Sequence, residues 1–436
     1  MLNNLNIEIN ELSSFSRELV IHVPWEELSG DFEKTIGKFR KKAKLPGFRP
    51  GKVPKQVLMN QFLPAIEADF VEESFRKFYV QALKEKELVP VNQADVNNLE
   101  FKYGKNLSFK AQFEVEPKIS IPPLKKLKLT VKKHNYISDN EDVELAIEDI
   151  RKAKAKVITV EDGAKSGDFV LGDLQKIDES GLPIIGEKIE KRYVQIGEGA
   201  IIGENQSRLE GVKANDKVRI KLPDAQGDDS LVEVSVINIE RQILPEINDE
   251  FVKDVDPNIE SEAAWREKIQ DEINHSYSRR SKEVFERQLS DALIEKIDLE
   301  CPPSMVDSYL DHILEDIREK NQGVEIDEEK LKKNYTPVAE RNLKWYLVRK
   351  AIIQEHNLEV NKSEIDESIN QIIEKTSQKK EAEKFYKKPS NRSRIEDDLM
   401  EQKIMEVIQE HTKVKEVDVK TADLRAQEKM EVNTHE

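Results

Sequence analysis

Beyond Leu244-Pro245 the apolar residues stop alternating and recur every three or four positions for most of the remaining chain. Trp265, Ile269, Ile273 and Tyr277 are spaced by four. Met305, Tyr309, Leu310, Ile313 and Ile317 form a second set, and Leu343, Leu347 and Ile352 a third. Ile365, Ile369, Ile372 and Ile373 form a fourth, and Ile395, Leu399, Met405 and Ile408 close the series. Such spacing lines one side of a helix. The faces are narrow and dense charge separates them, so the helices must pack in pairs and leave much surface uncovered. With 36 % charged and 37 % hydrophobic residues in 436, one large core is out of reach. The expectation is an elongated all-α region over 243–436, in a multi-domain chain of about three domains.

The N-terminal part has a different texture. Phe15, Leu19, Ile21 and Val23 share a parity, which is strand periodicity. Pro24 then opens a helix carrying Trp25, Leu28, Phe32, Ile36 and Phe39, and the Pro46-Gly47 pair ends it. Val57 to Phe62 and Ile66 to Leu83 read as further helix. "LSFKAQFEVEP" alternates again, with Phe109, Ala111, Phe113 and Val115 on one side. Residues 1–115 therefore read as an α+β head, helices against an antiparallel sheet.

"EPKISIPPLKKLKL" holds three prolines and reads as an extended linker, and 139–157 reads as a helix with an acidic start and a basic end. Residues 116–157 are taken together as a linker that packs with the C-terminal region. From 158 to 242 short β-rich pieces are punctuated by glycine: "GDFVLGDLQKI", "KRYVQIG", "DKVRIKLP" and "LVEVSVINIE", with one short helix near "GENQSRLEG". The tail after His411 mixes a short strand with a polar end.

Most site chemistry has no carrier here. The seven histidines are scattered without ligand spacing, so no metal is expected. "GEGAIIG" has neither the dinucleotide nor the P-loop spacing, so no cofactor is expected and its glycines read as turn formers. Cys301 is the single cysteine and sits at a Pro302-Pro303 helix boundary, which suits an inert thiol in a reducing compartment. No catalytic residues stand out. No secretory signal is visible and no stretch nears the roughly 20 apolar residues of a membrane span. The expected location is cytoplasmic.

One stretch departs from the acidic balance of the chain, whose formal net charge is -16. Lys38, Arg40, Lys41, Lys42, Lys44, Arg49, Lys52 and Lys55 lie between Ile36 and Lys55 with no Asp or Glu among them. Pro46, Pro50 and Pro54 lock φ, while Gly47 and Gly51 permit tight reversals. The result is a stiffened loop with Phe48 and Arg49 at its tip. Two readings stay open from the residues. In one, the cations solvate a helix end, where the dipole favours them by about 0.3–1 kcal/mol each. Alternatively, the loop docks on an anionic partner, phosphate oxygens meeting Arg49 and the lysines while an apolar pocket takes Phe48.

"GFRPGKVP" (Gly47 to Pro54) resembles the signature of bacterial trigger factors, chaperones that dock beside the ribosomal exit tunnel. "LPEINDEFVKDV" (Leu244 to Val255) and "AERNLKWYLVRKAIIQEHNLEVNKSEID" (Ala339 to Asp366) are similar to later stretches of that family, in the same order. The resemblance implies a ribosome-binding head that uses Lys44, Gly47, Phe48, Arg49, Pro50, Gly51, Lys52 and Pro54. Its partners would be a tunnel-rim protein of the large subunit, nearby ribosomal RNA and unfolded nascent polypeptides. The helical region would be a chaperone domain that shields those chains, and the molecule would form a homodimer off the ribosome. The middle domain would be FKBP-like, and the alternative function is peptidyl-prolyl cis-trans isomerisation. Here the sequence departs from the family. Between Arg151 and Gln242 the only aromatics are Phe169 and Tyr193, Asn205 stands where the pocket-floor aromatic belongs, and the pocket loop is cut to "PDAQGDDS". Weak or no isomerase turnover is therefore expected.

Overall fold

The computed structural model describes residues 5–49, 51–178, 180–223, 229–321, 327–376 and 378–434. In chain order, β1 (Asn6–Glu11), β2 (Ser16–Val23), α1 (Trp25–Lys42), α2 (Lys55–Glu85), β3 (Asp95–Glu100) and β4 (Leu107–Glu114) form the head. α3 (Leu124–Leu127), β5 (Thr130–Ile137) and α4 (Asn140–Ala153) follow. Then come β6 (Lys156–Thr159), β7 (Phe169–Ile177), β8 (Pro183–Gln195), α5 (Gly203–Leu209), β9 (Lys217–Pro223) and β10 (Asp229–Ile243). The helical remainder is α6 (Asp249–Val255), α7 (Glu262–Ile294), α8 (Pro303–Lys320), α9 (Glu328–His356), α10 (Lys362–Lys375), α11 (Lys379–Tyr386) and α12 (Pro389–Glu410). β11 (Lys413–Lys420), which pairs with β5, and α13 (Thr421–Thr434) end the chain. The fold class is α+β and multi-domain. Among the described residues no helix is long and apolar enough to cross a membrane.

The chain divides into two compact units, residues 1–133 with 284–415 and residues 134–283 with 416–436. In the first, the head sheet has the order β1-β2-β4-β3. The alternation becomes one buried face: Leu19 opposes Ala111 and Ile21 opposes Phe109, and all four are sealed. α1 covers that face with Leu28, Phe32 and Ile36, and α2 covers it with Leu58, Ile66, Phe70, Phe78 and Ala82.

α2 is one helix of 31 residues with Pro64 inside it, not the two segments the sequence suggested. Proline removes one intrahelical hydrogen bond. The stripe from Leu58 to Ala82 keeps packing on the sheet across that gap, and this holds the helix through it. The same core encloses the Tyr79 hydroxyl, which has no hydrogen-bond partner among the described residues, and burial pushes its pKa up to about 12.

The proline-rich stretch is packed into a core of its own unit. Ile121, Leu124, Leu129 and Val131 are buried in one cluster with Leu289, Leu347, Val348 and Ile404. The stretch is pinned to the helices of its own unit. Glu114, at the end of β4, accepts from the backbone N–H of Ser304 at the start of α8 (3.0 Å).

In the second unit β10 is the spine of a five-stranded sheet. It pairs with β7, β9 and β6, and β8 lies outside β7. Val170, Leu174, Val234 and Ile239 pack under Leu209 of α5. A second core joins Val143 and Ile147 of α4 to Phe251, Val252, Trp265 and Ile269. The helix expected over 139–157 stops at Ala153, and Lys156–Thr159 pairs with β10 instead. Asp139 caps α4 in a capping box with Asp142.

Candidate functional site

The basic loop is built by two successive turns. α1 stops at Lys42, earlier than the Pro46-Gly47 pair, because Ala43 is already extended at ψ 126° and caps the helix by donating to the Phe39 carbonyl (2.8 Å). Phe48 N–H then donates to the Leu45 carbonyl (3.1 Å), with Pro46 second and Gly47 third at φ +89°. That is the pattern of a type II turn, which needs a residue free to take positive φ at its third position. A second turn follows. Lys52 N–H donates to the Arg49 carbonyl (3.0 Å) and Gly51 has φ +79°. Gly51 N–H also donates to the Arg40 carbonyl (3.1 Å), which straps the loop onto the end of α1. Val53 is buried in the head core and Pro54 caps α2.

These constraints turn the tip outward. Phe48 is 40 % exposed, and Lys44, Gly47, Arg49, Lys52 and Pro54 are exposed as well; Gly51 is half-buried. Pro50 lies outside the described residues. The candidate residues described are thus brought together on one surface loop, with Phe48 and Arg49 at its tip.

The cations divide into two groups. Lys38 pairs with Glu73 (2.6 Å) and Lys55 with Glu33, and each carboxylate holds its ammonium above the usual lysine range. These two belong to the head's own structure. Arg40, Lys41, Lys42, Lys44, Arg49 and Lys52 are exposed, and among the described residues none forms an ion pair. Arg40 is tied to the loop through its carbonyl, so it joins the surface although the signature did not include it. The Gly51 bond that brings it there spans eleven residues and has no sequence signal.

The β domain accounts for Asn205. Its side-chain amide donates to the carbonyls of Ala200 (2.8 Å) and Lys221 (2.6 Å), and its oxygen accepts from Lys221 N–H (3.0 Å). Asn205 therefore clips α5 to β9. Phe169 and Tyr193 lie elsewhere. Tyr193 opposes Leu171 and Phe169 is two positions along, so both share the sheet face opposite to the one where Val170 packs under α5. The Tyr193 hydroxyl donates to Glu240 (3.1 Å) and its ring is half exposed. Most of the "PDAQGDDS" segment, residues 224–228, lies outside the described residues.

An α+β head with an outward cationic loop, a small β domain and a helical remainder define a multi-domain chain with the build of a ribosome-docking chaperone. Residues 5–150 match the family model described as bacterial trigger factor protein, and residues 263–410 match the model of its C-terminus. The trigger factor of Syntrophotalea carbinolica is 27 % identical over 432 residues, covering 95 % of this chain and 97 % of that one. That of Chlorobaculum tepidum is 27 % identical over 412 residues, covering 92 % and 95 %. A solved structure reported as "Promiscuous Substrate Recognition in Folding and Assembly Activities of the Trigger Factor Chaperone" is 21 % identical, with a TM-score of 0.47 over 93 % of this chain and 100 % of that one. The chain belongs to the bacterial trigger factor family, and its function is that of a ribosome-associated chaperone acting on nascent chains.

Proposed function

We propose that the loop from Lys44 to Pro54 is the docking element. In this reading Phe48 enters an apolar pocket on a tunnel-rim protein of the large subunit, while Arg49, Lys52 and Lys44 meet phosphates of nearby ribosomal RNA. The functional division is a head over 1–115, a linker over 116–157, an FKBP-like domain over 158–242 and a helical chaperone domain over 243–436. The molecule works in the cytoplasm and pairs with a second copy when it leaves the ribosome. The observation that carries the docking reading is the exposed loop with the adjoining end of α1, whose six cations form no ion pair among the described residues of a chain of net charge -16. Holding like charges together costs self-repulsion that an anionic partner removes.

Shielding of nascent chains needs no reaction. α9 exposes Tyr335, Val338 and Tyr346, and Val338 also lines a cavity of about 420 Å³ with Trp345 and Met405. Covering a few hundred Å² at about 25 cal/mol per Å² gives several kcal/mol of gross attraction. Association and ordering offset most of it, which leaves a weak and releasable grip. The isomerase alternative gains no support from the β domain, where Asn205 is spent on the α5–β9 clip and the two aromatics sit on the opposite face.

Co-sedimentation with ribosomes tests the docking reading. A chain carrying Phe48→Ala, Arg49→Ala and Lys52→Ala should bind at least about tenfold more weakly, as loss of a central anchor and its cations implies. Its melting profile should stay unchanged, because all three side chains are exposed. Association equal to that of the unaltered chain would remove the loop from the docking surface.

A further inference from the structure

The helical region carries a second cationic corner that the docking loop does not explain. Between residues 379 and 394, where α11 meets α12, there are seven Lys and Arg and two carboxylates, Glu381 and Glu383. Arg392 is neutralised by Asp366. Lys379, Lys380, Lys384, Lys387, Lys388 and Arg394 are exposed, and among the described residues they form no ion pair. Phe385 stands among them at 50 % exposure, braced edge-on against Tyr386 with ring centroids 5.2 Å apart.

The corner is held firmly. The Phe385 carbonyl accepts from Lys388 N–H (3.3 Å) and from the Asn391 side-chain amide (2.6 Å). α12 begins here with no acidic residue in its first turn and no side-chain cap. Lys388 stands at the N-cap of α12, where a cation opposes the helix dipole unless an anion joins it, while Lys387 caps the favourable end of α11.

We propose that this corner binds the phosphate backbone of single-stranded RNA, with Phe385 as a platform for one base. Unpaired cations around an exposed ring are what an unpaired strand needs: point charges for phosphates and a π-face for stacking. An acidic polypeptide fits less well, because it would need apolar area for its own side chains. Here the neighbouring Ile365, Ile369 and Ile395 are sealed in a small core, and Phe385 is the main ring on offer. The proposal rests on residues of α11 and α12 and is independent of the head loop.

The test uses the full chain with Phe48→Ala, Arg49→Ala and Lys52→Ala already in place, so that the weakened head loop is the same in every arm. Fluorescence anisotropy follows binding of a labelled twelve-residue oligouridylate. Adding Lys384→Glu, Lys387→Glu and Lys388→Glu should weaken binding at least about tenfold. It should also reduce the slope of log affinity against log salt by about 2, the change for three phosphate contacts on a single strand. Phe385→Ala should weaken binding about fivefold or more and leave the slope unchanged, as loss of one stacked base requires. The same lysines changed to Gln should act in the same direction, and circular dichroism checks that helix content is kept. Unchanged RNA affinity in the Glu variant overturns the proposal. So does polyglutamate of equal length binding as tightly as the RNA, which would assign the corner to acidic polypeptide. Binding that appears only as the chain self-associates in light scattering would assign it to a second copy.

Discussion

Phe32→Ala is expected to cost the head about 3–5 kcal/mol, the usual range for deleting a sealed aromatic ring. Phe32 is fully buried on α1 and stands at the centre of a ring cluster. Phe70 meets it edge-on with centroids 5.0 Å apart, Tyr103 lies at 5.1 Å, Trp25 at 5.6 Å and Phe101 at 5.8 Å. Those rings come from α1, from α2 and from the segment after β3, so alanine would open a void where three parts of the head meet. The surrounding rings are too rigid to collapse into it. Hydrogen exchange of the β4 amides from Phe109 to Phe113 reads the effect. Protection should fall by about two to three orders of magnitude, since each tenfold corresponds to about 1.4 kcal/mol. A change of less than about threefold would show that the cluster does not hold the head together.

Trp265→Ala should have an effect of similar size, about 3–5 kcal/mol, in the other compact unit. Trp265 is buried on α7 and packs edge-on against Phe251 with centroids 5.7 Å apart. It joins α4, α6 and α7 through Val143, Ile147 and Val252. Phe251 is the one other aromatic of that cluster among the described residues, and a phenyl ring cannot fill its own place and the indole's as well. Amide exchange in α4 around Val143 and Ile147 should accelerate by two orders of magnitude or more, again by the tenfold-per-1.4 kcal/mol rule. Unchanged α4 protection would mean that α4 is held by something other than this core.

The two cases show what the sequence made legible. Four-residue spacing on α7 marks Trp265 and Ile269 as one face, and alternation marks Phe109, Ala111 and Phe113 as one side of a strand. Both are properties of neighbours along the chain, and both persist in the structure. The exposure of the basic loop was legible for the same reason. Gly47 and Gly51 permit two turns locally, and Phe48 and Arg49, which lie between those turns, are displayed.

What escaped was set by partners far away in sequence. Three prolines marked the stretch from Glu116 as an extended linker packing with the C-terminal region, but nothing local showed that Leu124 and Leu129 would be the residues buried against those from 285 onward. The polar tail hid α13 because its anchor is Arg425, whose partners Asp139, Glu141 and Asp142 lie more than 280 residues earlier. Arg425 holds the Asp139 carboxyl below the usual aspartate range. A lowered carboxyl pKa stabilises above the ordinary aspartate value and is lost as pH falls through the folded value, so this anchor persists at neutral pH and releases only in acid. Within α2, Pro64 suggested a break because a local rule outweighed the buried stripe on either side. α11 escaped because its eight residues carry too few apolar side chains to show a face. It is also the element that carries the second cationic corner.

The Lys44–Pro54 loop is the proposed point where this chain touches the ribosome. A photo-reactive benzoylphenylalanine placed at position 48 tests it most directly, with the same probe at the exposed Val89 of the head as the comparison. Irradiation with purified ribosomes should cross-link position 48 to a large-subunit component at the exit-tunnel rim, while position 89 should give little product. Cross-links from position 89 but none from position 48 would contradict the claim.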